Sequence, residues 1–139
     1  MERSLVLVKP DAMKRGLAGA VIARLQALGL KMVALKLLHA DKALARKHYA
    51  VHKDKPFFDD LVAYITSTPI VAAVFEGDHA VERIRKAMGA TDPAQAEKGT
   101  IRADFGESLE RNSVHGSDSP ENGEIESNLF FRPDEIYNY

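Results

Sequence analysis

The spacing of hydrophobic residues changes along the chain, and each spacing indicates a different secondary-structure element. Residues 5–8 form a continuous apolar run that stops at Lys9 and Pro10, which is typical of a buried strand ended by proline. From Leu17 the apolar residues recur every three or four positions until Gly29. This spacing predicts a helix with one buried face and a glycine stop.

The middle of the chain predicts a strand followed by two helices. Residues 31–39 place Val and Leu at alternating positions, which predicts a second strand. Asp41 is suited to cap a helix that runs to about Val51. Another helix is expected to open at Pro56 and to end before Pro69.

The last part of the chain carries a long polar stretch. Residues 70–75 predict a third strand, and the apolar residues within 81–88 predict an amphipathic helix. After Gly89, roughly thirty-five residues rich in Gly, Asp, Asn, Ser and Thr continue to about Glu126, and a loop of such length is usually functional. The apolar residues 129–131 are then expected to form a last strand.

This order of elements predicts an α+β fold of the ferredoxin-like (split βαβ) type, with an antiparallel four-stranded sheet. Helices are expected to cover one face of the sheet, and an oligomer partner is a reasonable candidate to bury the other. There is no repeat, low-complexity tract or linker, so residues 1–139 are expected to form a single domain.

Composition removes several classes of function. The formal net charge is −1, which gives no electrostatic reason to expect a nucleic-acid duplex or an anionic membrane as the main partner. The absence of cysteine excludes thiolate nucleophiles and disulfides. Neither a signal peptide nor a membrane-spanning stretch is evident, so a cytoplasmic protein is expected.

The polar stretch holds a candidate nucleophile, His115, in the segment N-S-V-H-G-S-D. A neutral imidazole can accept a phosphoryl group near neutral pH without an elaborate activating base. Gly116 beside it would let the backbone approach a phosphate. An isolated H-G-S tripeptide is, however, more often idle than catalytic.

Other residues suit a phosphorylated ligand, although each has an ordinary explanation when taken alone. Lys9 follows a buried strand, and Arg85 and Arg102 can grip phosphate oxygens in a bidentate manner. Adjacent Phe57 and Phe58 cannot both face the core, so one ring is available to stack on a base. Taken alone, Lys9 is more often a solvated lysine and Arg85 more often a helix-surface arginine, whereas a half-exposed aromatic residue without a ligand is about as common as one that stacks on a base.

Familiar catalytic motifs are missing. His48 and His52 are one helical turn apart, but Tyr49 replaces the glutamate of H-E-x-x-H, which favours a structural or surface role for both histidines. There is no P-loop and no G-x-S-x-G elbow, and Ser117 with its neighbours makes a poor hydrolase triad. Spacing alone therefore predicts a phosphate-binding loop with a histidine.

Several segments in order carry a family resemblance. They are L-V-L-V-K-P-D-A, R-G-L-A-G, H-Y-A-V-H-K-D-K-P-F-F, M-G-A-T-D-P-A, G-T-I-R-A-D-F and R-N-S-V-H-G-S-D-S. From the first strand through Phe131, the chain resembles the nucleoside diphosphate kinases. The resemblance implies a phosphotransferase that moves the terminal phosphate of a nucleoside triphosphate to a diphosphate in a ping-pong reaction through a phosphohistidine at His115.

The resemblance also implies roles for the remaining site residues. Tyr49 would pack near His115, and Glu126 would orient it. Phe57 would stack on the base, and Lys9 and Asn112 would contact the ribose hydroxyls. The residues implied to hold the phosphates are Arg85, Thr91 and Arg102.

Cofactors and partners follow from the same resemblance. Magnesium is expected on the nucleotide phosphates, without metal-ligating protein residues. The expected ligands are ATP, GTP and other nucleoside tri- and diphosphates, and a homo-oligomer, either tetramer or hexamer, is expected. A catalytically silent relative, a nucleic-acid-binding protein and another phosphohistidine enzyme are the alternatives. The phosphorylated imidazole nitrogen and the base preference stay open.

Overall fold

The computed structural model describes residues 1–139 and contains four strands and seven α-helices. The strands are β1 (Glu2–Val8), β2 (Lys31–Leu38), β3 (Ile70–Gly77) and β4 (Val114–Gly116). The helices are α1 (Pro10–Lys14), α2 (Ala18–Gln26), α3 (Lys42–His48), α4 (Phe58–Ile65), α5 (Ala80–Met88), α6 (Ile101–Phe105) and α7 (Pro120–Phe130). Short 3₁₀ turns occupy Ala50–His52, Pro93–Gln95 and Pro133–Glu135. None of the helices has the length and apolar character needed to cross a membrane.

The strands form one sheet in the order β2-β3-β1-β4, and every neighbouring pair is antiparallel. This topology confirms the predicted ferredoxin-like α+β class. The central position of β1 explains its apolar run from Leu5 to Val8, because residues with strands on both sides and helices on both faces are buried. Leu7 in β1 pairs with Ala72 on one side and with His115 on the other.

Helices cover both faces of the sheet, whereas the sequence indicated cover on one face. Alternate β1 residues separate into two hydrophobic clusters. Val6 and Val8 pack with Ile84 and other residues of α2, α5 and α6, and Leu5 and Leu7 pack on the opposite face with residues of α3, α4 and α7. The second face is therefore buried by the chain itself, and an oligomer partner is not needed for that purpose.

The predicted long loop and the strand predicted after it are both wrong. The loop region contains α6, β4 and the first part of α7. The stretch 129–131 belongs to the end of α7 and the residue after it instead of forming a strand. Strand β4 has three residues, too few to show an alternating pattern. Helix α7 starts with a Ser119 cap and Pro120 at its first position, but its mostly polar sequence hides the helical period.

Earlier elements agree with the predictions to within a few residues. The Asp41 side chain caps α3 by accepting a hydrogen bond from the Leu44 amide at 2.8 Å. Pro10 does more than end β1, because it also opens the short helix α1, which the sequence did not indicate. The fixed φ of proline and its missing amide hydrogen suit the first turn of a helix.

Gly123 permits the close approach of α7 to β1. A Cβ at this position would collide with the main-chain carbonyl oxygen of Arg3, which cannot rotate away. We therefore expect Gly123→Ala to lower the free energy of unfolding by about 1–3 kcal/mol or more. Gly19→Ala in α2 is the matched control, because a Cβ there meets no atom within 4 Å. Urea denaturation measures both, and equal stabilities would contradict the proposed clash.

Candidate active site

His115 lies at the middle of β4, opposite Leu7, and not in a loop as the sequence suggested. Its side chain is 22% exposed, so the imidazole is accessible from one side while the strand fixes its backbone. Gly116 serves packing, since a Cβ there would lie 2.6 Å from the Met88 sulfur on α5. The expectation that Gly116 makes room for a phosphate therefore has no support in this packing.

Glu126 on α7 holds one nitrogen of the His115 ring. Its Oε1 lies 2.8 Å from His115 Nε2 and also accepts a 2.8 Å hydrogen bond from the Ser117 hydroxyl. An ionised carboxylate can only accept, so Nε2 carries the hydrogen and donates it. The lone pair of the neutral ring consequently lies on Nδ1, the nitrogen that Glu126 leaves free.

Ser117 positions Glu126 and was missed as a functional residue by the sequence analysis. It is fully buried, and its hydroxyl oxygen accepts a 3.0 Å hydrogen bond from the Leu5 amide in β1. The same hydroxyl donates to Glu126, so the central strand is linked to the carboxylate through Ser117. Its spacing of two from His115 was the available signal, because alternate residues of an extended segment share a face.

A second buried residue, Asp11, fixes the segment that leads into β4. Its carboxylate accepts hydrogen bonds from the Tyr64 hydroxyl at 2.6 Å and from the Ser113 hydroxyl at 3.1 Å. Ser113 has a left-handed backbone with φ of 74°, which is strained for a residue with a side chain. Burial, and then the bond to Asp11, raises the pKa of Tyr64. No spacing in the sequence marks Asp11 as a residue of the site.

Lys9 and Asn112 meet at the end of β1 that faces the site. Lys9 Nζ donates to Asn112 Oδ1 at 3.0 Å, and Asn112 Nδ2 donates to the Thr91 carbonyl oxygen at 3.0 Å. The structure thus brings together three of the predicted site residues. Burial and the nearby charge of Arg102 lower the pKa of Lys9 to about 8, against a smaller opposing effect of Asp11.

Arg102 is a buried cation beside the strand that carries His115. Its guanidinium donates to the carbonyl oxygens of Gly89 at 3.2 Å and Val114 at 2.8 Å. Its Nε is buried and has no hydrogen-bond partner. Burial, followed by the charge of Arg85, lowers the pKa of Arg102 to about 10. Arg85 itself is exposed on the last turn of α5 and adds a second positive charge to this region.

Phe57 and Phe58 differ in exposure, as expected. Phe58 packs on the core, whereas 45% of Phe57 is exposed. Tyr49, which follows α3, lies against the His48 ring with 4.7 Å between ring centroids. Burial, and then the negative charge of Glu126, raises the pKa of Tyr49 to about 12.

His48 is a further residue that the sequence analysis did not assign to the site. Its ring lies edge-on to the His115 ring, with centroids 4.7 Å apart, and it packs against Phe130 on the other side. Both of its ring nitrogens are buried without a hydrogen-bond partner. Burial, with smaller effects of His115, Lys9 and His52, lowers the pKa of His48 to about 2.

The charged groups at the site suit an anion better than a hard cation. The cluster of His48, His115 and Glu126 supplies two imidazoles and one carboxylate, whereas magnesium prefers six oxygen ligands. Lys9 and Arg102 add buried positive charge nearby. These side chains therefore do not form a protein cage for magnesium.

Comparison with known proteins gives a consistent family. The sequence model of the family described as "Nucleoside diphosphate kinase" matches residues 2–136. A nucleoside diphosphate kinase of Dehalococcoides mccartyi is 61% identical over 139 residues, which cover 100% of this chain and 98% of that protein. One from Archaeoglobus fulgidus is 55% identical, over 100% of this chain and 92% of that protein.

Solved structures agree with the sequence relatives. The nucleoside diphosphate kinase of Halobacterium salinarum, solved in complex with CDP, superposes with a TM-score of 0.96 at 49% identity and covers 99% of this chain and 92% of that one. The Aquifex aeolicus enzyme superposes with a TM-score of 0.95 at 41% identity and covers 98% of this chain and 99% of that one.

The lowered pKa of His48 predicts how acid affects stability. Below about pH 6.5 the unfolded chain binds a proton at His48 that the folded protein does not accept. This group therefore lowers the free energy of unfolding by up to about 1.4 kcal/mol per pH unit as the pH falls below 6.5. His48→Phe should be less acid-sensitive than the wild type when urea denaturation is compared at pH 7 and pH 5. Parallel losses would show that His48 protonates in the folded state.

Proposed function

The chain belongs to the nucleoside diphosphate kinase family, and from that premise we propose which of its residues carry out the reaction. It is a phosphotransferase that moves the terminal phosphate of a nucleoside triphosphate to a nucleoside diphosphate. The proposal is that this phosphate passes through His115 in a ping-pong exchange.

The hydrogen bond between His115 Nε2 and Glu126 is the observation that carries this proposal. It leaves a lone pair on Nδ1, so Nδ1 attacks the γ-phosphorus and a nitrogen–phosphorus bond forms. The bond from that phosphorus to the β-phosphate oxygen breaks, and the diphosphate leaves. An oxygen of a second diphosphate then takes the phosphate back, while the hydrogen on Nε2 stays with its Glu126 contact.

Positive groups around the ring stabilise the charge that moves in this transfer. Arg102 Nε is a buried donor without a partner, which suits a phosphate oxygen. Arg85 and Thr91 lie in the same region and would hold the remaining phosphate oxygens. Binding an anion would favour the charged form of Lys9, which burial disfavours. Fixed cations that need no reorganisation are the main source of catalysis in phosphoryl transfer.

The nucleoside is proposed to lie between Phe57 and the Lys9–Asn112 pair. The exposed Phe57 ring offers a face for the base, and stacking discriminates little between bases. Lys9 and Asn112, already hydrogen-bonded to each other, present donors and an acceptor to the ribose hydroxyls. The Halobacterium salinarum relative was solved in complex with CDP, which supports nucleotide binding by this chain.

Magnesium is proposed to arrive on the nucleotide and not on a protein site. The cluster of His48, His115 and Glu126 offers a single carboxylate, and that carboxylate is engaged by His115 and Ser117. The chemistry that the ion supplies is neutralisation of phosphate charge.

The remaining proposals concern organisation. We infer one domain over 1–139 in a cytoplasmic homo-oligomer. Leu35 and Leu37 support the oligomer, because both are more than half exposed on the edge strand β2, where unpaired backbone groups favour association. Sedimentation of the chain as a monomer at assay concentration would contradict it.

We expect the chain to become labelled by a nucleoside triphosphate carrying radioactive γ-phosphate. The label should be acid-labile and base-stable, as a phosphohistidine is, and His115→Ala should abolish it because no nucleophile remains. His39→Ala is the matched control, since His39 lies outside the site and contacts the Thr66 carbonyl oxygen. A labelled His115→Ala variant, or an unlabelled wild type, would refute the mechanism.

Phe57→Ala should weaken the binding of every nucleotide by about 1–3 kcal/mol, because the stacking surface is lost. Calorimetric titration with several nucleoside diphosphates measures the loss, and pyrophosphate, which has no base, provides the control. An unchanged nucleotide affinity would remove Phe57 from the binding site.

A further inference from the structure

Three side chains around the nucleophile form a cluster that the proposed exchange reaction does not explain. One ligand atom each of His48, His115 and Glu126 lies within 4.8 Å of the other two. Glu126 and His115 have roles in the exchange, but His48 has none. The third member therefore requires a separate explanation.

His48 is chemically prepared to bind a metal ion. Both of its ring nitrogens are buried without a partner, an arrangement that costs free energy in a folded protein. A neutral imidazole has one nitrogen that carries no hydrogen, and the lone pair of that nitrogen can bind a metal ion. A metal ion would give one of these nitrogens the partner that the protein does not supply.

The ligand set selects the class of metal. Two imidazoles and one carboxylate, with a fourth position open to water, suit zinc and similar transition metals and not magnesium or calcium. Zinc bonds of about 2.1 Å in a tetrahedron hold ligand atoms about 3.4 Å apart. Small rotations of the three side chains would bring atoms that are already within 4.8 Å to that spacing.

Of the charged groups near the cluster, one favours the binding of a metal cation and another opposes it. Glu126 supplies one negative charge, and its hydrogen bond from Ser117 can persist while another lone pair binds the ion. Lys9 lies close enough to lower the pKa of His48 and would repel a cation. The affinity should therefore be lower than that of a structural zinc site, and the metal should be removable.

Coordination of His115 would stop phosphate transfer through either of its nitrogens. A metal on Nδ1 occupies the proposed nucleophilic lone pair directly. A metal on Nε2 displaces the hydrogen from that nitrogen, so that the neutral ring carries its hydrogen on Nδ1 and has no lone pair there.

We propose that His48, His115 and Glu126 form a reversible inhibitory site for zinc-class transition metal ions. The proposed binding site is inferred from the geometry of the three side chains, and its inhibitory effect rests on the proposed role of His115. Occupation would compete with formation of the phosphohistidine.

The test begins with binding in the absence of nucleotide. Metal-free wild-type protein is titrated with Co²⁺ alone, whose visible absorption reports a four- or five-coordinate site. We expect one bound ion per chain, displaced by Zn²⁺ and absent in His48→Phe. Phenylalanine keeps the aromatic packing against His115 and Phe130, and circular dichroism with the thermal midpoint establishes that the variant is folded. Glu126→Gln, a second variant, should also lose the absorption.

His52→Phe is the matched control for this titration. His52 lies on the turn after α3 and also has a buried nitrogen without a partner, but it is outside the cluster. It should keep the Co²⁺ absorption. A wild type without visible absorption, or a folded His48→Phe that retains it, would overturn the proposal.

Inhibition is then measured with magnesium and nucleotides in excess. Zn²⁺ should inhibit the wild type and the His52→Phe variant, and a zinc-selective chelator should restore activity. With each protein normalised to its own activity without Zn²⁺, half-inhibition of His48→Phe should require at least about tenfold more Zn²⁺ than half-inhibition of the wild type. Even residues that only support a metal ligand contribute about 10–100-fold to metal affinity, and a ligand should contribute no less. Equal inhibition of all three proteins would overturn the regulatory part. Phosphate labelling without Zn²⁺ tests His115 separately, so failure of either idea can be told from failure of the other.

Discussion

The hydrogen-bonded chain from Leu5 through Ser117 and Glu126 to His115 is the contact on which the site depends. It joins the central strand β1 to the strand β4 and the helix α7, which follow one another near the other end of the chain. A carboxylate that accepts two hydrogen bonds is fixed in orientation, and it fixes the imidazole in turn. The free nitrogen of His115 is therefore determined by packing of the fold and not by local sequence.

The second constraint is electrostatic. Lys9 and Arg102 are buried near each other, and burial lowers the pKa of both. Such an arrangement is unfavourable for the protein alone, since two desolvated cations repel. On the proposed function an anionic phosphate offsets that cost, and strongly perturbed charged groups are a recognised mark of functional sites. His48 is a comparable case for a neutral side chain, because both of its ring nitrogens are buried without a hydrogen-bond partner.

The sequence predicted the elements that have a long, clear hydrophobic pattern and did not predict those that are short or mostly polar. Buried β1 and β3 and the amphipathic α5 have patterns long enough to identify, and their topology follows from the order of elements. Strand β4 has three residues, too few for its sequence to be distinguished from a loop, although it carries the proposed nucleophile. Helix α7 was missed because its surface is mostly polar and its glycine looks like a loop residue, whereas Gly123 is required where the helix meets β1.

The sequence by itself determined the family and the fold class, because several motifs occur in the order that is typical of the family. The same motifs indicated most of the residues from which the site is built. It also indicated that Phe57 or Phe58 must leave the core, since adjacent side chains cannot share one buried face. Only the tertiary structure decided that helices cover both faces of the sheet, that Ser117 and Asp11 position the site, and that His48 lies against His115. Most of these contacts join residues that are distant along the chain, because hydrogen bonds and burial depend on distance in space and not on separation in sequence.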